Sequence, residues 1–179
     1  MSGQLGTLRA LVADDNPHMR SIVLAILNGL GIHNIAECAD GAQALECVRL
    51  FLPDFAIVDF HMTPVDGVEF TQLVRNAPDS ANPKLPIIML TGYADRTRVF
   101  EARDAGVTEF IVKPVTARAV FDRINSVIYK PRSFIRTDDY FGPCRRRRQD
   151  PDFHGPFRRS TDERLMIMDE DDDQAPVAL

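Results

Sequence analysis

Five polar or charged side chains in this chain each follow a short apolar run, and together they have the composition of a metal and phosphate site. They are Asp14, Asp15, Asp59, Thr91 and Lys113. Three carboxylates and one ammonium group give a formal local charge of about −2, which a hard divalent cation such as Mg²⁺ would neutralise. A carboxylate can also attack phosphorus as a nucleophile and become an aspartyl phosphate. The set therefore indicates phosphoryl transfer assisted by a divalent metal.

Each of these side chains suits one part of that chemistry. Asp59 is predicted to be the phosphoryl acceptor, and Asp14, Asp15 and Asp59 are predicted to hold Mg²⁺. Lys113 would pair with a phosphoryl oxygen as a point charge, and the Thr91 hydroxyl would donate a hydrogen bond to it. Because catalysis of phosphoryl transfer consists mainly of positioning and charge neutralisation, no further catalytic side chain is predicted.

The elements that would position these side chains are strands of a parallel sheet. Short apolar runs alternate with amphipathic segments from Leu8 to about Tyr129, which is the pattern of repeated βα units. The five predicted strands are Leu8–Ala13, Asn34–Cys38, Phe55–Val58, Leu85–Leu90 and Glu109–Val112. The second is the most polar and is predicted to lie at an edge. This predicts an α/β fold, a doubly wound five-stranded parallel sheet whose carboxyl ends form a binding crevice.

Helix-start signals lie between the predicted strands. Residues that can cap a helix open the first three: Asn16 before Pro17, Asp40 with Gln43, and Asp66 with Glu69. A fourth helix is predicted over about 95–105 and ends at a glycine, and a fifth is predicted over about 116–128 with a proline just beyond it. Five βα units therefore account for the chain up to about residue 129.

The ordered set of motifs resembles the receiver-domain family of two-component response regulators over residues 7–129. The motifs are Asp14-Asp15-Asn16-Pro17, Asp59, Met62, Asp66-Gly67, Thr91-Gly92 and Lys113-Pro114. The resemblance implies a sheet in the order 2-1-3-4-5 and Mg²⁺-dependent transfer to Asp59 from a histidine kinase or phosphotransfer protein. It also implies slow autodephosphorylation, with no other enzymatic activity.

The resemblance further implies how a phosphorylated domain would signal. Phe110 falls at the family's switch-aromatic position, where it would turn inward as Thr91 moves towards the phosphoryl group. That movement changes the face made by the fourth helix, fifth strand and fifth helix. The Lys113-Pro114 bond is often cis in this family. Thr63 stands between Met62 and Pro64, where the family commonly has proline directly after the methionine, so the course of this loop is left open.

Residues 130–179 differ in composition from the predicted domain. Proline, arginine, aspartate and glycine dominate, with a basic run at Arg145–Arg148 and an acidic run at Asp169–Asp173. Such a segment buries too little apolar surface to offset its ordering entropy, so it is predicted to be largely disordered. A short motif recurs in it, at 142–146 and again at 155–159, each copy preceded by an aromatic residue. No output domain is recognised, so output would pass to an unknown effector protein or a phosphorylation-dependent homodimer.

Composition limits the other functional classes. The 179 residues carry a formal net charge of −5, which makes nucleic acid an unlikely partner. No apolar run reaches the length of a membrane helix, and the three cysteines lack zinc or disulfide spacing, so a cytoplasmic protein with no membrane contact is expected.

Two other functions remain open at this point. In one, the chain is a scaffold that acts through its arginine-rich tail without phosphorylation. In the other, it is a hydrolase of the haloacid-dehalogenase type with an aspartyl-phosphate intermediate. Those hydrolases place the nucleophile in a D-x-D pattern after the first strand, whereas Asp14 and Asp15 are adjacent here.

Overall fold

The computed structural model describes residues 5–92, 96–137 and 140–145. After a short 3-10 turn at Leu5–Thr7, the strands are β1 Arg9–Ala13, β2 Asn34–Cys38, β3 Phe55–Asp59, β4 Ile87–Thr91 and β5 Glu109–Val112. The helices are α1 Pro17–Gly29, α2 Gly41–Phe51, α3 Gly67–Asn76, α4 Arg96–Ala105 and α5 Ala117–Tyr129. The strands are all parallel and lie in the order β2-β1-β3-β4-β5, which confirms the predicted fold class and strand order.

Helices cover the sheet on both faces. On one face, buried side chains of α1 and α5 pack on β1, β3 and β4, including Val23, Leu27 and Ile124. On the other face, α2 and α3 contribute residues such as Val48 and Phe70 to a second apolar cluster. All residues of β3 and β4 are buried, whereas β2 is only partly buried and lies at an edge of the sheet, as predicted. Each fully buried large apolar side chain stabilises the fold by about 1.5–3 kcal/mol.

Side-chain caps start the first three helices, as predicted. The Asn16 side-chain oxygen accepts hydrogen bonds from the amides of His18 at 2.9 Å and Met19 at 3.4 Å. Asp40 accepts from the Gln43 amide at 2.8 Å, and the Gln43 side chain accepts in return from the amide of residue 39 at 3.1 Å. Asp66 likewise caps α3 through the amide of residue 69 at 2.8 Å. These bonds satisfy amide groups that a helix leaves unpaired at its start.

Strand boundaries shift by one or two residues from the predicted ones. β4 begins at Ile87 rather than Leu85, because Pro86 has no amide proton and ladder pairing starts after it. β3 extends by one residue, to Asp59, which pairs in register with Leu90. The acceptor side chain thus belongs to the last residue of a regular strand.

The prediction of a largely disordered tail does not hold for its first part. The strands β6 Phe134–Thr137 and β7 Tyr140–Pro143 form an antiparallel hairpin that packs on the C-terminal ends of α3 and α4. The rings of Phe134 and Phe141 lie 5.7 Å apart, and the Arg136 guanidinium lies 4.1 Å from the Phe141 ring centroid. Stacking of arginines on aromatic rings therefore orders a segment that composition alone marks as solvated.

Several polar contacts attach this hairpin to the domain. Arg132 donates hydrogen bonds to the carbonyl oxygens of Thr108 and Cys144. The Arg145 guanidinium lies 2.9 Å from the Asp104 carboxylate and 4.3 Å from the ring centroid of Tyr140. The remainder of the basic run, the acidic run and the second copy of the motif lie outside the described residues.

A buried arginine joins α3, the turn after α4 and the hairpin. Arg75 is 1% exposed and donates hydrogen bonds to the carbonyl oxygen of Gly106 at 3.0 and 3.1 Å and to that of Pro83 at 2.8 Å. Burial lowers the pKa of Arg75 to about 9, which leaves it charged at neutral pH. The same guanidinium lies 5.1 Å from the ring centroid of Phe134. Arg75 thus fixes the surface on which the hairpin rests.

Candidate functional site

The predicted site residues meet at the carboxyl edge of the sheet. Asp14 and Asp15 follow β1, Asp59 ends β3, Thr91 ends β4 and Lys113 follows β5. One carboxylate oxygen from each of the three aspartates can be chosen so that all lie within 4.8 Å of one another. Asp14, Asp59 and Thr91 are buried, whereas Asp15 is exposed. The parallel topology therefore assembles residues that lie up to 99 positions apart in the chain.

Lys113 is the cation of this acidic cluster. Its ammonium nitrogen lies 2.9 Å from an oxygen of Asp59 and 3.5 Å from an oxygen of Asp14. The Lys113 amide donates a 2.8 Å hydrogen bond to the Thr91 carbonyl, so that the β4–β5 ladder continues to the site. The Lys113-Pro114 peptide bond is cis, as the family resemblance implied.

Local hydrogen bonds hold Asp14 in place. One of its carboxylate oxygens accepts from the Asn16 amide at 2.9 Å, and its own amide donates to the Cys38 carbonyl at 3.3 Å. The Arg20 guanidinium donates to the Asp14 carbonyl at 2.7 Å. Sequence reasoning did not identify Arg20, because a basic residue on the first helix carries no motif of its own. The carboxylate of Asp14 therefore keeps an oxygen directed at the cluster.

Two glycines permit the close packing of the loop after β3. A β-carbon on Gly67 would lie 2.3 Å from the carbonyl oxygen of Asp59, and one on Gly41 would lie 2.6 Å from the carbonyl oxygen of Val65. Both glycine amides donate hydrogen bonds to this loop, Gly67 to Phe60 and Gly41 to Val65, each at 3.1 Å. The course of the loop, left open by the sequence, includes a cis bond before Pro64.

Burial and neighbouring charge shift the pKa values of Asp59 and Lys113, the ion pair at the centre of the site. Burial raises the pKa of Asp59, as does the nearby Asp14 carboxylate, and contact with Lys113 offsets only part of this rise. For Lys113, burial alone would lower the pKa, but the contacts with Asp59 and Asp14 outweigh burial and raise it. The raised pKa of Asp59 and the raised pKa of Lys113 are consistent with each other. One ammonium group faces two carboxylates, so it stays charged, but it cannot fully compensate the charge of both.

The donor set fits a hard divalent cation. Three carboxylates against one ammonium leave about two uncompensated negative charges, and oxygen ligands of this kind are those that Mg²⁺ binds together with water. The exposed Asp15 leaves one side of the cluster open to solvent. The residues present are thus suited to hold Mg²⁺ beside Asp59.

Phe110 lies outside the carboxylate cluster, at the packing contact between β5 and α4. It is half-buried against an apolar group made of Phe60, Val68, Met89, Ala102, Ala105 and Val107. Its carbonyl accepts a 3.0 Å hydrogen bond from Arg123 of α5. Phe110 therefore packs against a group that includes Phe60, the residue after Asp59, and Ala102 of α4.

A second connection between the site and α4 was missed by sequence reasoning. Arg98 of α4 donates a hydrogen bond to the His61 ring, and its guanidinium lies 5.5 Å from the ring centroid of Phe60. The His61 and Phe60 rings themselves meet edge to face at 4.9 Å. Phe60 and His61, which follow Asp59, thus both contact Arg98 near the start of α4. The hairpin packs on the other end of the same helix.

The comparisons with known proteins identify the family. The model of the response regulator receiver domain matches residues 10–125, more than half of the chain. The chain is 34% identical over 120 residues to the chemotaxis protein CheY of Pseudomonas aeruginosa, covering 67% of this chain and 95% of the relative. The chain belongs to the response regulator receiver domain family and is a response regulator of two-component signalling.

Solved structures agree with this assignment. The chemotaxis protein CheY4 of Vibrio cholerae matches with a TM-score of 0.62 and 28% identity, over 68% of this chain and 98% of that one. The receiver domain of the sensor histidine kinase PA1611 of Pseudomonas aeruginosa matches with a TM-score of 0.58 and 28% identity, over 66% and 94%. That structure has a magnesium ion coordinated in its active-site cleft. Among the residues described here, no helix is both long and apolar enough to span a membrane.

The raised pKa of Asp59 predicts a pH-dependent stability when metal is removed. Above that pKa the ionised carboxylate destabilises the folded state relative to the unfolded one, where its pKa is about 3.9. In EDTA at pH 7.5 we therefore expect Asp59→Asn to raise the melting temperature by about 3 °C. As the pH falls, Asp59 is protonated in the folded wild type before it is protonated in the unfolded chain. The difference in melting temperature between the two proteins should therefore shrink, and it should vanish below about pH 4.

Thermal unfolding of both proteins across this pH range in EDTA tests this expectation. Lys113 does not complicate the comparison, because its pKa is raised from an already alkaline value and it stays charged throughout. A variant that is less stable than the wild type at pH 7.5 would show that the Lys113 contact outweighs burial of the carboxylate.

Proposed function

We propose that the chain is a single-domain response regulator that accepts a phosphoryl group on Asp59 from a histidine kinase or phosphotransfer protein. In this proposal residues 7–129 form the receiver, and no output domain is recognised in the sequence of residues 130–179. The observation that carries the proposal is the position of the Asp59 carboxylate, at a strand end, 2.9 Å from the Lys113 ammonium and beside Asp14. Nucleophile, counter-charge and metal-binding carboxylates thereby share one small crevice.

The proposed reaction is an in-line displacement at phosphorus. An Asp59 oxygen forms a bond to phosphorus while the bond from phosphorus to the donor's imidazole nitrogen breaks, and the electron pair leaves with the imidazole. The Lys113 ammonium then pairs with a phosphoryl oxygen in place of the carboxylate, and the Thr91 hydroxyl donates a hydrogen bond to another. When bound, Mg²⁺ neutralises charge on the phosphoryl oxygens. Asp14, Asp15 and Asp59 would hold this ion.

Signalling would then pass to a protein partner. Exposed apolar side chains on α4, β5 and α5 include Phe100 at 49%, Val112 at 51% and Phe121 at 38%. Phe110 lies between this face and the strand end that carries Asp59. We propose that movement of Thr91 and Phe110 on phosphorylation alters this face, which then binds an effector or a second copy of the chain. Slow hydrolysis of the aspartyl phosphate would end the signal.

Intact-protein mass spectrometry after incubation with acetyl phosphate and Mg²⁺ tests the proposed chemistry. The wild-type chain should gain the mass of one phosphoryl group, because acetyl phosphate supplies the same electrophilic phosphorus as a phosphohistidine. The gain should disappear in EDTA, since the carboxylate charges would then face the phosphoryl oxygens without a cation. A mass gain that persists unchanged in EDTA would contradict the proposal that Asp14 and Asp15 hold a metal ion needed for phosphorylation.

A further inference from the structure

Two cysteines that the phosphoryl chemistry does not use lie in contact beside the acidic site. Cys38 ends β2 and Cys47 lies in α2, nine positions further along the chain. The Cys38 thiol donates a hydrogen bond to the Cys47 sulfur, and the two sulfur atoms are 3.1 Å apart. A disulfide bond is about 2.05 Å long, so the sulfurs need to approach by only about 1 Å to be bonded. A shift of this size lies within ordinary side-chain motion.

The surroundings of the two sulfurs differ in a way that assigns them different roles. Cys38 is 2% exposed and packs in the apolar cluster under α2, whereas Cys47 is half-buried at the rim of the same cluster. An oxidant from solvent therefore meets Cys47 first. The Cys47 sulfur would therefore react first with a disulfide from solvent, and the Cys38 sulfur, 3.1 Å away, is placed to attack the mixed disulfide that results.

We propose that Cys38 and Cys47 form a reversible disulfide, which makes the β2–α2 unit of this receiver a redox-sensitive site. The oxidant is a low-molecular-weight disulfide such as oxidised glutathione. The Cys47 sulfur attacks it, forms a mixed disulfide, loses its proton to solvent and releases one glutathione thiolate. The Cys38 sulfur then attacks the Cys47 sulfur, loses its proton to solvent and releases the second glutathione thiolate. Two cysteine thiols are thereby oxidised while one glutathione disulfide is reduced to two thiols.

The location gives the bond a structural effect near the phosphoryl site. Cys38 pairs in register with Ala13, and its carbonyl accepts the hydrogen bond from the Asp14 amide. A disulfide to Cys47 would link α2 covalently to β2, the strand whose Cys38 carbonyl holds the Asp14 amide. β2 is an edge strand of the sheet, so a covalent link constrains an element that is paired on one side only. Oxidation should thus stabilise the edge next to Asp14.

The test is equilibration of the purified chain in glutathione buffers of increasing oxidised fraction, followed by acid quenching and intact-mass and peptide analysis. We expect the loss of two hydrogen atoms, a peptide pair linked through Cys38 and Cys47, and reversal by reduced glutathione. Closure of this short loop should also raise the melting temperature by about 5 °C. Cys144→Ser is the matched control and should behave as the wild type in all three measurements.

Two variants keep the result interpretable. Cys47→Ser changes a half-buried residue and should fold normally, but it should lose both the disulfide and the rise in melting temperature. Cys38→Ala removes the second sulfur, so its oxidation should stop at the mixed disulfide of Cys47 with glutathione. The proposal is overturned if oxidised buffers yield only a glutathione adduct on the wild type, or a link through Cys144. A lower melting temperature of the linked form would also overturn it, because the native geometry would then resist the bond.

Discussion

We expect the Asp59→Asn variant to take up no phosphoryl group from acetyl phosphate and Mg²⁺, under conditions in which the wild-type chain gains one. An amide oxygen is a poor nucleophile towards phosphorus, while the size of the side chain and its place at the end of β3 are unchanged. Asp59 is the proposed acceptor, 2.9 Å from Lys113, whereas the neighbouring Asp14 is proposed to hold the metal, so the loss should be complete. Intact-protein mass after a fixed incubation measures it.

The same strand supplies the control for this experiment. Asp54 directly precedes β3, at the opposite end from Asp59, and its carboxylate accepts a 2.7 Å hydrogen bond from the Arg9 amide. Asparagine at position 54 can still accept this bond, so Asp54→Asn should be phosphorylated as the wild type is. Uptake of a phosphoryl group by Asp59→Asn at the wild-type rate would place the acceptor on another residue.

Replacing Lys113 by methionine should have opposite effects on metal binding and on phosphorylation. The substitution keeps the length of the side chain but removes the ammonium that lies 2.9 Å from Asp59. The local charge becomes more negative, so Mg²⁺ should bind roughly tenfold more tightly. Phosphorylation by acetyl phosphate should nevertheless slow by about 10²-fold, because the transferred group loses its charged partner.

Titration calorimetry for Mg²⁺ and the time course of the mass gain measure the two effects separately. Lys130→Met is the matched control, since Lys130 is exposed at the end of α5 and far along the chain from the carboxylates. A parallel loss of metal binding and phosphorylation in Lys113→Met would mean that the lysine supports the structure of the site rather than the phosphoryl group.

The elements around the site were predictable because each has a strong local signal. Asn16, Asp40 and Asp66 cap helices through their own side chains, and such caps depend only on neighbouring residues. The buried strands are nearly continuous apolar runs, and parallel strands bring their carboxyl ends to one edge whatever their separation in the chain. The convergence of Asp14, Asp59 and Lys113 follows from these two facts.

The hairpin after α5 had no comparable signal. It is short and is flanked by proline and arginine, and its arginines suggest solvation when they are read without their partners. The interactions that order it are tertiary: Arg75 of α3 meets Phe134, and Asp104 of α4 meets Arg145. Contacts between residues more than forty positions apart leave no pattern within either segment. Arg98 and His61, 37 positions apart, and Cys38 and Cys47, nine positions apart but in different elements, likewise leave no pattern within one segment.

The hairpin also adds a surface to one particular end of the domain. Each helix runs back along the sheet from the carboxyl ends of the strands, so the C-terminal ends of α3 and α4 lie at the opposite pole from Asp59. Arg145, which contacts Asp104, is the last described residue of the chain and lies at that pole. The hairpin and the carboxylate cluster therefore lie at opposite ends of the domain. A phosphodonor that reaches Asp59 would leave the hairpin uncovered.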